Sequence, residues 1–271
     1  MAICRTGEYP TYFEEAGRGM PVVLVHGHAA DLRAWDEAIP PLVAAGNRVI
    51  RYDVRGHGQS AVPDDDYTYD AYVRDLEALM AHVGSQEFVV VGHSMGGGIA
   101  LTYAQRHPER AAGAVLVCPA LPGFGYSEEF SAGIVELRDK IRANGVHPTI
   151  EDEFPKHAFF DCIRDDADAM DRIRAMFAGY SGRDYLVEPG PAPEGVIDGL
   201  AVMSTPTLVL AGDGDIPDFR LIAALLGERI PGAELRSLPD TGHMLPMERP
   251  AEFAAAVNAF IAARVVSSLK R

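Results

Sequence analysis

What this chain lacks narrows its roles first. It is poor in cations, with 24 Lys and Arg against 39 Asp and Glu and a formal net charge of −15. So acidic a surface offers no footprint for nucleic acid, which is excluded as a partner. No stretch approaches the roughly 18 consecutive apolar residues of a membrane span, so no membrane role is expected. Cysteine is scarce and odd in number, at positions 4, 118 and 162, with no C-x-x-C pair. That usage gives neither a disulfide framework nor a thiolate metal centre, and it fits a reducing compartment. Residues 1–7 lack the apolar core of a secretory signal, so the cytoplasm is the expected location. Internal repeats and low-complexity tracts are missing too.

What is present is an ordered globular composition. In 271 residues, 48% are hydrophobic and 23% charged, enough for one large α/β domain with an insertion. Residues 9–16 read as an antiparallel edge strand and residues 21–25, almost wholly apolar, as a central one. Further strands are expected at 47–53, 88–91, 114–118, 206–213 and 234–238. Helical spacing joins Trp35, Ile39, Leu42 and Val43 behind a cap near Asp31. It recurs over 67–83, 99–106, 218–229 and 250–267. Alternating βα units from residue 21 onward specify a doubly wound, mostly parallel sheet.

Between residues 119 and 200 that rhythm stops. The segment opens and closes with clusters of Pro and Gly and carries helical patches at 128–143 and 165–178. Structureless loops of that length are rare inside compact domains, so residues 120–200 are assigned to an inserted helical cap. The core is then 1–119 and 201–271. Phe154, Phe159, Phe160, Met170, Met176, Phe177 and Tyr180 of the cap either line a pocket or hold the cap together.

The stretch around which the chain is organised is Phe88-Val89-Val90-Val91 followed by Gly92-His93-Ser94-Met95-Gly96. The second part fits G-x-S-x-G between a strand and a helix, a turn that holds a serine in a strained conformation with Oγ exposed. Glycine suits positions 92 and 96 because side chains there would collide. A serine hydroxyl needs a base, and the base needs an acid to orient it. Asp215, where the strand at 206–213 gives out, and His243, on the loop after the following strand, supply them in the chain order Ser, Asp, His. Asp213 is the rival acid, placed earlier in the same turn. His26 and His28 resemble a metal pair only in spacing, since no third ligand accompanies them, and no metal is expected. Their turn is expected to aim a backbone N–H, that of His28 or Ala29, at the site. His57 is read as a loop residue and Cys118 as a small core residue.

With these pieces the chain resembles the α/β-hydrolase superfamily, its serine esterase and enol-lactonase-like members in particular. The resemblance rests on Leu24-Val25-His26-Gly27, on residues 52–60 and on the serine motif. It also rests on the stretch 206–215 and on Gly242-His243. It implies that Ser94 attacks an acyl carbon, that His243 shuttles the proton and that Asp215 orients His243. The backbone N–H groups of Met95 and His28 would form the oxyanion hole. His93, Phe124, Phe159, Phe160 and Met244 are the candidate pocket residues, and neither metal nor cofactor is required. Serine at position 94, where some members carry a nucleophilic aspartate, argues against epoxide hydrolysis and dehalogenation. The expected reaction is hydrolysis of small to medium carboxylic esters. The alternatives are a 3-oxoadipate enol-lactone-like lactone, or a C–C bond. A dicarboxylate lactone would call on cations such as Arg138, Lys140, Arg142 and Arg164. A ligand receptor without turnover is the remaining reading. The expected partner is a small-molecule ester or lactone, and a homodimer is kept as an option.

Overall fold

The structure, a computed structural model, describes residues 2–6, 9–188 and 190–265. Among the described residues eight strands make one sheet: β1 (Ala2–Thr6), β2 (Tyr9–Gly17), β3 (Met20–Val25), β4 (Asn47–Tyr52), β5 (Phe88–His93), β6 (Ala111–Val117), β7 (Thr207–Gly212) and β8 (Glu234–Leu238). Their spatial order is β1-β2-β4-β3-β5-β6-β7-β8. β1 and β2 are antiparallel to their neighbours, and every pairing from β4 to β8 is parallel. The edge position expected for residues 9–16 is corrected, because β1 pairs outside β2. Five residues are too short a run to carry a readable alternation.

The helices are α1 (Ile39–Ala44), α2 (Tyr69–His82), α3 (Met95–Arg106), α4 (Glu128–Asn144), α5 (Val146–Glu153), α6 (Ala167–Phe177), α7 (Arg183–Leu186), α8 (Val196–Gly199), α9 (Pro217–Arg229), α10 (Leu245–Glu248) and α11 (Pro250–Phe260). The helix expected through Trp35 is split into a 3₁₀ turn, Leu32–Trp35, and α1. Pro40 and Pro41 lack an N–H and fit only a first helical turn, so the α-helix begins beside them. The last helix ends earlier than expected: after Phe260 the backbone widens into a π turn, Ile261–Val265, and positions 266–267 lie outside the described residues.

Alternation along the buried strands explains the double winding. Val23, Val25 and Val90 face one core, which packs α2, α3 and α9 through Leu76, Leu101 and Ile222. Val22, Leu24, Val89 and Val91 face the other, closed by Trp35, Leu42 and Phe253. Neither face of β5, nor of β3 from Val22 onward, meets water, as parallel strands require. A third cluster joins α4 to α7 through Ile141, Ile150, Met170 and Phe177, and it reaches Ala29 and Met244 of the core loops. The helices between β6 and β7 therefore lie against the loops that leave the carboxyl ends of the strands, the working edge of an open α/β sheet.

Candidate active site

Three of those strand ends bring Ser94, Asp215 and His243 together. Nε2 of His243 lies 2.9 Å from Oγ of Ser94. On the far side of the ring, Nδ1 lies 2.9 and 3.1 Å from the two carboxylate oxygens of Asp215. All three residues are buried. An ionised carboxylate only accepts, so the imidazole proton sits on Nδ1 and Nε2 is bare toward the serine hydroxyl. Asp215 is itself held by the N–H of Ile216, at 2.7 Å. Asp213, the rival acid, is exposed and outside this row.

The turn that carries Ser94 is strained, with φ 54° and ψ −118°, a region that non-glycine residues rarely enter. Surrounding backbone enforces it. The Ser94 carbonyl accepts from Gly97, Gly98 and Ala120, and its N–H donates to Val117. A Cβ on Gly92 would overlap the carbonyl of Gly96, and one on Gly96 would overlap the carbonyls of Val25 and His26. The second glycine thus leaves room for the end of β3, as well as for the turn.

The turn after β3 stands against the serine: a Cβ on Gly27 would come 3.1 Å from Cβ of Ser94. Within this turn Ala29 donates its N–H to Nε2 of His57 at 3.2 Å, and Ala30 donates to the carbonyl of Gly27 at 3.3 Å. Both N–H groups are thereby occupied inside the protein. Three buried histidines brace the region. His26 donates Nδ1–H to Gly27 and accepts from the N–H of Val54. His57 donates Nδ1–H to the carbonyl of Arg55 at 3.0 Å. His93 donates Nε2–H to the carbonyl of His243 at 2.7 Å. Burial strips them of water and disfavours the cation, pushing His57 and His93 down to about 3 and lowering His26 as well. They are neutral struts.

The loop carrying His243 is fixed from below by Glu248, whose Oε2 accepts the N–H of Gly242 at 2.6 Å. Burial raises the Glu248 carboxyl. Rings of Phe159 (4.0 Å, stacked) and Phe219 (4.5 Å, edge-on) flank the imidazole of His243. Cys118 lies within 4.8 Å of the Asp215 and His243 ligand atoms. Burial and then the charge of Asp215 push its thiol well up, so it stays protonated.

In front of Ser94 opens a cavity of about 390 Å³ between the core loops and the helices that follow β6. Its walls are chiefly apolar, with Leu137, Phe154, Ile173 and Phe177 among them.

A sequence profile of the alpha/beta hydrolase fold matches residues 20–250 of this chain. The chain belongs to the alpha/beta hydrolase fold family. It is 30% identical to a non-heme chloroperoxidase of Kitasatospora aureofaciens, over 91% of this chain and 94% of that one. Its backbone is similar to the crystal structure of a bromoperoxidase from Bacillus anthracis, with TM-score 0.85 and 29% identity over 96% and 99% of the two chains. It is similar as well to a thermophilic esterase from Thermogutta terrifontis, with TM-score 0.80 and 28% identity over 95% and 94%.

Within this hydrolase fold the pocket candidates part company. Phe159, Phe160 and Met244 border the cavity, and so does His93, whose Nε2 is tied to His243. Phe124 does not border it and packs on Tyr126 beside the main core, at 5.3 Å between rings. Of the other residues expected to line a pocket or hold residues 120–200 together, Phe154, Met176 and Phe177 both join the third cluster and border the cavity, while Met170 and Tyr180 join the cluster without bordering it. The cation candidates have partners or lie elsewhere. Lys140 sits between Glu136 and Glu153 at 2.9 and 2.7 Å, and Arg142 pairs with Glu188. Arg164 is bound by three backbone carbonyls and Asp161, and Arg138 does not border the cavity. Sequence reasoning missed Asp184 and Tyr185, which gather with Tyr180 around the imidazole of His28. No local pattern marks them, since the contact spans more than 150 positions of chain.

Proposed function

We propose that this chain is a serine hydrolase that cleaves carboxylic esters of small to medium, uncharged acyl groups through an acyl-enzyme. The observation that carries the reading is Ser94 Oγ at 2.9 Å from a His243 backed by Asp215, at the floor of an apolar cavity. Ser94 attacks the ester carbonyl while its proton passes to Nε2 of His243. Asp215 steadies the imidazolium so formed. The N–H groups of Met95, at the start of α3, and of His28 receive the oxyanion, where loss of one donor typically costs about 10²–10³ in rate. His243 returns the proton to the leaving alcohol, and water, deprotonated by the same ring, releases the acid.

An uncharged substrate follows from the cavity walls and from Lys140, whose charge two glutamates already match. That pairing weighs against a dicarboxylate lactone. Residues 120–200 act in this reading as a cap that sets the acyl chain limit. A cytoplasmic location belongs to it too, supported by the free thiols of Cys118 and Cys162. Hydrolysis of p-nitrophenyl esters from acetate to laurate, beside Ser94→Ala, tests the proposal. Activity confined to short and medium chains and lost in the variant is expected, and equal rates in both proteins would overturn it.

A second reading comes from the identity to a haloperoxidase without heme. Hydrogen peroxide in place of water would release a peroxy acid from the same acyl-enzyme, and the peroxy acid would oxidise halide. Halide oxidation that requires both a carboxylic acid and peroxide, and vanishes in Ser94→Ala, is its mark.

A further inference from the structure

The imidazole of His28 has no part in the steps above, although it borders the same cavity. Its Nε2 lies 2.6 Å from Oδ2 of Asp184 and 2.7 Å from the hydroxyl of Tyr180. Tyr180 in turn donates its proton to Oδ1 of Asp184, at 2.5 Å. Asp184 is ionised. Burial alone would raise its carboxyl, but the neighbouring His28 and the hydrogen bonds from His28 and Tyr180 outweigh burial and hold it below the usual carboxylate range. With an acceptor-only carboxylate on one side, Nε2 of His28 carries a proton, shared between Asp184 and the Tyr180 oxygen. Nδ1 is the ring nitrogen on the side of Tyr185. The hydroxyl of Tyr185, which also borders the cavity, lies 3.5 Å from it, at the outer limit of a hydrogen bond. Burial, then Asp184, raises the Tyr185 hydroxyl, so it keeps its proton to donate.

Carboxylate and imidazole repeat the pairing of Asp215 and His243 on the border of the same cavity, here without a serine beside the ring. The pair Nδ1 and Tyr185 Oη offers two polar atoms a short distance apart, one of them a hydroxyl that both donates and accepts. A hydroxyl is the group that answers both, since it gives a proton and accepts one. Its oxygen, about 2.8 Å from each, would replace the long contact between them. Distance from the reacting carbon follows from covalent geometry. Within one histidine the backbone nitrogen and Nδ1 are roughly 3–5 Å apart. A carbonyl oxygen on the His28 N–H and a hydroxyl on its ring therefore belong to carbons one or two bonds apart in one acyl chain.

We propose that His28 and Tyr185, braced by Asp184 and Tyr180, form an acyl subsite for a hydroxyl on the second or third carbon of the ester's acid. The remaining chain lies along the apolar wall. This subsite rests on the ester reading for its orientation, but its binding chemistry can be read without turnover.

Calorimetry on the Ser94→Ala protein, with ethyl 3-hydroxybutanoate and ethyl butanoate as probes, supplies that test. The hydroxy ester is expected to bind roughly five- to tenfold more tightly, as two modest hydrogen bonds allow. Tyr185→Phe removes one oxygen from the site and should bring the ratio most of the way to one. His28→Phe should abolish it, and Asp184→Asn should weaken it while the unsubstituted ester still binds. Equal binding of the two probes, or a preference that survives both Tyr185→Phe and His28→Phe, would overturn the subsite. A retained preference in a protein whose wild type hydrolyses no ester would refute the ester reading and support the subsite.

Discussion

Nε2 of His57 accepts the backbone N–H of Ala29 at 3.2 Å. That bond spans 28 residues and holds the Ala29 N–H of the turn after β3 inside the protein. In the proposed mechanism His57 therefore positions the oxyanion hole without touching substrate. Replacing it with Leu leaves a buried donor unanswered, at about 1–3 kcal/mol. The expected outcome for His57→Leu is a drop in kcat of tenfold or more with KM little changed, alongside a lower denaturation midpoint. Wild-type kcat in that variant would show that the turn holds itself.

Gly96 is a sharper case. Its missing Cβ leaves space for the carbonyls of Val25 and His26, which are backbone and cannot swing aside. Gly96→Ala must separate the end of β3, whose following turn carries one proposed oxyanion donor, from the start of α3, which carries the other. A loss of at least about 3 kcal/mol in stability is expected, at the upper end of overpacking costs. Urea denaturation of the variant measures it, and a loss under 1 kcal/mol would contradict the geometry.

Cys118 offers the opposite expectation. Its thiol is buried beside Asp215, and burial keeps it protonated. Cys118→Ala should leave kcat/KM within about threefold of wild type, a change under ~0.7 kcal/mol. A hundredfold loss would make the thiol part of the chemistry.

How far the sequence reaches can be seen at particular residues. The serine turn was legible because each requirement is local: apolar strand, two glycines that admit no Cβ, helix. Asp215 over Asp213 was legible as well, since the position of the strand end decides which carboxylate reaches inward. Phe124 was misplaced because aromatic character says nothing about which side of a loop faces a cavity; its ring packs on Tyr126. The cations could not be placed for a similar reason, since Lys140 meets Glu153 only once α4 and α5 pack. The brace behind His28 joins positions 28, 180 and 184, and tertiary packing alone creates it.

Acid should weaken the fold before it reaches the carboxylates. His57 and His93 stay neutral in the folded chain down to about 3, whereas unfolded histidine titrates near 6.5. Between those values the unfolded state binds more protons, so stability falls as pH falls, by up to about 1.4 kcal/mol per pH unit for each ring. His26 and His157, also lowered first by burial, add to the slope. Asp53, Asp75 and Glu248, raised by burial, oppose it because they hold protons in the fold. A melting temperature lower at pH 5 than at pH 7 is expected in calorimetry. A rise over that interval would mean that the raised carboxyls outweigh the histidines.

The account turns on Ser94 as the residue that becomes acylated. Rapid mixing with p-nitrophenyl butyrate, an acid quench and intact-mass measurement test it most directly. The expected result is a burst of one p-nitrophenolate per chain, with a butyryl adduct on the peptide that contains Ser94 and none in Ser94→Ala. An adduct on another residue, or undiminished turnover by Ser94→Ala, would contradict it.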